Sequence, residues 1–506
     1  MTVRIQLTDV TLRDGQQSLA ATRMTTAQAL RVLPILEDAG YTTLELWGGA
    51  TLDSSVRFLD ENPWERLEQF SARLSRARLQ ALLRGQNLFG YQPYPDDLVI
   101  AFVRQAVDSG VQVMRIFDAL NDLRNLETAI KATKDSGAIA EAAISYTTSP
   151  VHTPQLFIQY AHQLAAAGAD QLVIKDMAGL MHPCDTLEMV RRIKREINLP
   201  LAIHSHTTTG VGLLNAVVGM VYGADSVDCA ITPFAGGTSH APVELLVVFA
   251  EALGLDHGLD KGLLLRAQAE LHKIFGELRG SIPDFEKFSR RPVTFEDVDL
   301  RSVERVLRLV QNGDDESLEA ALDISREMMS ELGYPDFDAR MFESQIPGGM
   351  LTNLQNQLAL MGNPGALEAV MDEIPRVRAD VGYVPLVTPT SQIVGSQAVF
   401  NVIMGERYAF ASNEFKMLLR GEFGKTPVAP NSEVMKKVLG ESADVLVHRP
   451  AHYLQPVMDK AVDLPYVKTG KDVLLHHMLG QAADEYLARH HQPTINWDAL
   501  VSYLEF

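Results

Sequence analysis

Ala167-Gly168-Ala169-Asp170-Gln171-Leu172-Val173-Ile174-Lys175-Asp176 decides the architecture. A helix ending in small residues meets glycine, the residue that most readily takes the left-handed turn closing a helix, and a short run of branched side chains follows. The same device recurs at Ala39-Gly40, Ser109-Gly110, Ser136-Gly137 and Tyr222-Gly223. Gly110, Gly137 and Gly168 are 27 and 31 residues apart, and Gly168 to Gly223 spans 55, about two further steps. That spacing is one strand–helix unit per step.

Working outward, eight strands are expected: Ile5 to Asp9, Thr42 to Leu46, Leu79 to Leu83, Val113 to Phe117, Ile139 to Ser145, Gln171 to Lys175, Leu201 to His204 and Ser226 to Asp228. Eight strands alternating with helices predict an α/β fold, a (β/α)8 TIM barrel, with a doubly wound open sheet as the alternative. Pro34, inside the amphipathic stretch Thr26 to Ala39, should kink that helix. Past about residue 260 the pattern turns helical. Ser317-Leu-Glu-Ala opens one segment whose Leu318, Leu322, Met329 and Leu332 share a face, and Gly333 and Pro335 stop it. The expected division is a barrel over residues 1–260, a helical extension over 261–440 and a C-terminal helical segment over 441–506.

Of the 506 residues, 46% are hydrophobic and 22% charged, the balance of a soluble globular enzyme. The net charge of −19 argues against nucleic acid and anionic membrane surfaces as partners, because both are bound through excess Lys and Arg. Two cysteines, Cys184 and Cys229, make no disulfide framework and suit a reducing compartment. The start, Met1-Thr-Val-Arg-Ile-Gln-Leu-Thr-Asp9, lacks the layout of a signal peptide, and no run of about 18 apolar residues occurs. A cytoplasmic location is expected, with peripheral association with a membrane complex as the alternative.

His204 and His206 stand one residue apart in Leu201-Ala-Ile-His-Ser-His-Thr, so strand alternation puts both imidazoles on one face. Asp14 follows the apolar stretch Ile5 to Leu12, and Lys175 with Asp176 closes Gln171-Leu-Val-Ile. In a barrel, residues at the C-terminal ends of different strands converge on one mouth, where Asp14, Lys175, His204 and His206 would meet. Two imidazoles and a carboxylate suit a divalent Zn, Co or Mn ion. A lysine beside that ion is either salt-bridged to Asp176 or neutral and carrying CO2 as a carbamate; chemistry alone favours the salt bridge.

The runs Thr11-Leu-Arg-Asp-Gly-Gln-Gln-Ser-Leu-Ala-Ala-Thr-Arg, Leu46-Trp-Gly-Gly-Ala-Thr, Leu82-Leu-Arg-Gly-Gln-Asn-Leu-Phe-Gly-Tyr and Ile174-Lys-Asp-Met-Ala-Gly resemble the pyruvate-type biotin-dependent carboxyltransferase family. Ile346-Pro-Gly-Gly-Met and Val387-Thr-Pro-Thr-Ser-Gln-Ile-Val-Gly extend the likeness over most of the chain. The resemblance implies carboxyl transfer between carboxybiotin and pyruvate or oxaloacetate through enolpyruvate, in either direction. It implies metal ligation by Asp14, His204, His206 and a carbamylated Lys175, which displaces the salt-bridge reading. Arg84 would hold the ketoacid with help from Arg13 and Gln17, a guanidinium fitting a carboxylate through two parallel hydrogen bonds. Thr388 would shuttle a proton between pyruvate and biotin, and Asp53, Tyr91 and Ser391 would line the biotin pocket.

Biotin attachment in the family uses a lysine between two methionines in a small β domain, a run this sequence lacks. A separate biotin carrier protein is therefore the expected partner, and a homodimer the expected assembly. Two departures stand out. The family usually has Asp-Ala-His-Gln where this chain has Asp14-Gly15-Gln16-Gln17, and Thr232-Pro-Phe-Ala-Gly-Gly-Thr-Ser-His-Ala-Pro differs from the serine- and methionine-rich version expected there. The first resembles metal-dependent aldol and Claisen enzymes of the 3-hydroxy-3-methylglutaryl-CoA lyase type, one alternative function; a non-catalytic scaffold subunit of a biotin-dependent complex is another. Lys175 and the Val387-Thr-Pro-Thr-Ser block stand against the lyase.

Overall fold

A computed structural model of the chain describes residues 3–90, 92–282, 285–288, 291–338, 354, 357–387, 389–441 and 444–491. Eight parallel strands close into a barrel in sequence order: β1 Gln6–Asp9, β2 Thr43–Gly48, β3 Arg78–Leu83, β4 Val113–Ile116, β5 Ile139–Ser145, β6 Gln171–Asp176, β7 Leu201–Ser205 and β8 Ser226–Cys229. Each matches its expected strand to within two residues, and the open-sheet alternative falls because β8 pairs with β1, Asp9 opposite Cys229. The five helix-ending glycines all take left-handed backbone angles, φ +82° to +116°. At Gly40 a Cβ would also lie 2.4 Å from the Gly258 carbonyl oxygen, so glycine is required there twice over. The helix Thr26–Asp38 runs unbroken through Pro34.

Parallel register puts paired residues on the same face of a sheet. Lys175 is paired with His204 across β6 and β7, and Ser145 with Lys175 across β5 and β6. Inside the barrel, Phe117, Ala143, Val173 and Ala202 pack together, while the outer strand faces join the large core under the surrounding helices.

Beyond the barrel the described residues are helical. Leu300–Asn312 and Asp315–Glu331 form a hairpin packed on the barrel helices Pro183–Glu196 and Gly212–Tyr222. Leu318, Leu322, Met329 and Leu332 are buried, as their shared face predicts, and Gly333 closes the segment at φ +80°. A second core gathers Ile374 and Val377 of Leu367–Asp380, Val394 and Ala398 of Thr390–Met404, and Phe415 and Leu418 of Asn413–Arg420 around Leu120 of the barrel. Gly470–Leu479 and Gln481–His490 return to the barrel, where Tyr94 donates to the Met478 carbonyl at 2.8 Å. Among the described residues no helix is long and apolar enough to cross a membrane.

Candidate active site

The strand ends surround a cavity of about 340 Å³. Asp14 reaches it from the turn Thr11–Gly15 after β1, where the Val10 carbonyl accepts from the N–H groups of Arg13, Asp14 and Gly15. His204 comes from β7, and His206 from the residue beyond its end. His240 is added by the segment after β8, which folds back so that it bridges His206. Asp14 Oδ2 then lies 3.3 Å from His204 Nε2, 3.4 Å from His206 Nε2 and 3.1 Å from His240 Nε2.

Those separations match donor atoms sharing one ion at about 2.1 Å each, which places ligands roughly 3.0–3.5 Å apart. Asp14, His204, His206 and His240 make a His/Asp cluster with metal-binding geometry. The outer ring nitrogens support this. His204 Nδ1 is 2.6 Å from Asp228 Oδ2, and His206 Nδ1 is 2.7 Å from the Thr238 carbonyl oxygen, so each ring donates outward and turns its Nε2 lone pair inward. Buried His240 Nδ1 has no hydrogen-bond partner among the described residues.

Electrostatics favour neutral His204 and His240 rings beside an ionised carboxylate. Burial and the Lys175 amine hold His204 well below the usual imidazole range, and burial with His206 brings His240 down to about 4. Burial works against ionisation of Asp14, but Arg13 and the imidazoles of His206 and His240 outweigh it and hold the carboxyl well below the usual carboxylate range. Deprotonated imidazole and carboxylate are the forms an ion requires.

Lys175 Nζ lies 2.6 Å from His204 Nε2, and burial pushes the amine down to about 8 against the pull of Asp14. The alternative salt bridge to Asp176 is wrong. Successive residues of β6 face opposite ways, and Asp176 turns outward to accept from Leu180 and Met181 N–H at 2.8 and 2.9 Å and from Ser205 Oγ at 3.1 Å.

Arg13, Gln17, Arg84 and Ser391 line the same cavity. Arg13 Nε donates to Glu45 Oε1 at 2.6 Å, Nη2 to Asp14 at 3.0 Å and Nη1 to Gln17 at 3.3 Å. Arg84 Nη1 donates to the Gly90 carbonyl at 2.6 Å. Ser391, in the first turn of Thr390–Met404, and Val387 come from the helical half. Their segment is tied down by Arg378, a buried guanidinium whose Nε donates to the Val384 carbonyl and Nη2 to Thr147 Oγ1 after β5, both at 2.8 Å. Asp53 is not part of the described lining; it pairs with Arg57 at 2.6 Å. Thr388 and Tyr91 lie outside the described residues.

Both sequence departures find a place. Gln16 turns from the cavity, its amide donating to the Leu12 carbonyl and accepting from Met24 N–H. A Cβ on Gly15 would lie 3.1 Å from the Phe234 carbonyl oxygen, so glycine admits the close approach of the segment carrying His240. His240 was missed because nothing local distinguishes it. Glu45, Arg115 and Asp228, buried inside the barrel, were missed although each stands as a charged residue within an apolar expected strand, a legible signal.

Fold and cluster define a metal-site barrel covered by a helical half. Residues 4–270 match the family described as HMGL-like, and residues 341–501 match that described as a conserved carboxylase domain. A pyruvate carboxylase subunit of Methanocaldococcus jannaschii is 42% identical over 96% of this chain and 77% of its own length. The methylmalonyl-CoA carboxyltransferase 5S subunit of Propionibacterium freudenreichii subsp. shermanii is 36% identical over 95% and 86%. The carboxyl transferase domain of Rhizobium etli pyruvate carboxylase, solved with pyruvate and biocytin, superposes with a TM-score of 0.81 at 26% identity, over 97% of this chain and 78% of that one. The chain belongs to the pyruvate carboxylase-type carboxyltransferases. It is an enzyme of that class, and the lyase and scaffold alternatives are set aside.

Proposed function

We propose that the chain transfers a carboxyl group between carboxybiotin, carried by a separate biotin carrier protein, and the pyruvate/oxaloacetate pair. The observation carrying this reading is one cavity lined by Asp14, His206, Lys175 and two arginines, with His204 and His240 completing the cluster behind its wall. A divalent Zn, Co or Mn ion there would stabilise the negative charge of enolpyruvate. Asp14, His204 and His206 would hold it, with His240 as a further donor and Lys175 as its carbamate. The lowered basicity of Lys175 supports the carbamate, because only a neutral amine adds to CO2. Arg84 binds the ketoacid carboxylate with Arg13 and Gln17 beside it; Arg13 also offsets the carboxylates of Asp14 and Glu45. Thr388 moves the proton between the pyruvate methyl group and the biotin ring nitrogen, while Ser391, Tyr91 and Asp53 border the biotin.

The barrel over 1–260 supplies the ion and ketoacid groups, the extension over 261–440 supplies Thr388, and the helices Gly470–Leu479 and Gln481–His490 of the segment 441–506 brace the barrel. A homodimer and a cytoplasmic setting complete the reading, the latter supported by two free cysteines. The test is pyruvate-dependent formation of oxaloacetate from carboxybiotin by the purified chain. Oxaloacetate formation that tracks pyruvate and is blocked by avidin on the carrier is expected; efficient, avidin-insensitive decarboxylation of oxaloacetate would overturn the biotin assignment.

A further inference from the structure

Six buried side chains, from the turn after β1 and from β2, β4, β8 and β7, form a closed circuit across the barrel interior. From Asp14 Oδ2 it runs to Arg13 Nη2 at 3.0 Å, from Arg13 Nε to Glu45 Oε1 at 2.6 Å, and from Glu45 Oε2 to Arg115 Nη1 at 3.6 Å. Arg115 then grips both oxygens of Asp228, Nη2 reaching Oδ1 at 3.2 Å. Asp228 Oδ2 meets His204 Nδ1 at 2.6 Å, and His204 Nε2 returns to Asp14 at 3.3 Å. The Arg115 Nε also binds Glu141 of β5, which accepts from Gln80 of β3 at 2.7 Å.

We infer that Arg115 is a positioning residue for the metal site, acting through this circuit on Asp14 and His204 together. The inference rests on reading the cluster as a metal site and deepens it. Arg115 has three carboxylate neighbours, Glu45, Glu141 and Asp228, all inside the barrel. A planar guanidinium can engage them from separate edges, whereas an ammonium is a single point of charge. On one side it fixes Asp228 as the acceptor for His204 Nδ1–H and so sets the tautomer that leaves Nε2 free. On the other it shares Glu45 with Arg13, whose remaining N–H groups orient the Asp14 carboxylate. Both donors are thus set from below by one residue that does not reach the ion.

Cobalt(II) is the probe, with its affinity and visible absorption spectrum as readouts, and metal-free melting temperature followed in parallel. Glu45→Gln and Asp228→Asn, both nearly isosteric, should bind cobalt about 10- to 100-fold more weakly than wild type, with altered spectra. Asp228→Asn should also lose the Nδ1–H signature of His204 in nitrogen NMR. Arg115→Lys should weaken binding as Asp228→Asn does; should it fail to fold, the two isosteric variants carry the test. Glu37→Gln, whose buried carboxylate caps Ser75 and Arg76 far from the circuit, should shift melting without changing cobalt affinity. Wild-type affinity and spectrum in both Glu45→Gln and Asp228→Asn would overturn the circuit. A wild-type protein that binds no cobalt would instead overturn the metal reading itself.

Discussion

His240 and Asp9 show how differently two buried polar side chains can act. His240 Nε2 is the nearest imidazole nitrogen to Asp14 Oδ2 in the cluster, so His240→Ala should lower divalent-ion affinity at least about 10-fold by equilibrium dialysis. His204→Ala and His206→Ala should abolish ion binding and activity. At Asp9, burial lifts the carboxyl from 3.8 to about 7, against two hydrogen bonds from Thr11. The folded state therefore holds a proton that the unfolded state loses, and stability falls as pH rises from about 4 through about 7. Asp9→Asn keeps both Thr11 contacts and should remove this slope. Denaturant titrations should show the variant gaining stability over wild type at pH 8, by at most roughly 4 kcal/mol, and no gain at pH 4. His204 and His206 were legible because alternation on one strand brings them together. His240 lies on a returning segment, and no local pattern records which strand that segment will meet.

At the scale of elements, all eight strands were legible, since helix-ending glycines and branched runs are local signals. Their polar interior was not read, although a charged residue within an apolar strand marks it once the strands are expected to close into a barrel. Arg378 is an element-scale device of the same hidden kind: it joins the helix Leu367–Asp380, the exit of β5 and the chain leading to Ser391. Burial lowers its guanidinium to about 10, and it makes no ion pair within the described contacts. Losing two buried charge-assisted bonds costs about 2–3 kcal/mol in each element pair they join. Arg378→Gln should therefore reduce kcat/KM for the ketoacid by about 10-fold or more while leaving ion content unchanged, measured by steady-state kinetics with metal analysis.

Across the whole molecule, the active site is shared between a barrel and a helical half that meet through sequence-distant contacts. Asn125 Nδ2 donates to the Phe423 carbonyl at 2.8 Å, and Lys425 N–H to Asp122 at 2.7 Å. Between them Gly424 has φ +126°, and a Cβ there would lie 2.6 Å from Asn125 Nδ2. Gly424→Ala should cost about 1–3 kcal/mol in denaturant unfolding and reduce turnover without loss of bound ion. Such pairings, some 300 residues apart, leave no periodic trace in sequence. The motif resemblance indicated that residues near 388 reach the barrel mouth, but not which contacts hold them there.

The barrel interior is filled below Lys175 by Ala143, Val173, Ala202 and the Arg115 circuit, so among the described residues the cavity does not continue down the barrel axis. In the proposed reaction the ketoacid must travel past the place where the biotin ring arrives, and a seated ring corks the passage behind it. Under that reading the expected loading order is small acid before carrier. A biotin analogue lacking the carboxyl group should accordingly inhibit competitively against carboxybiotin and uncompetitively against pyruvate.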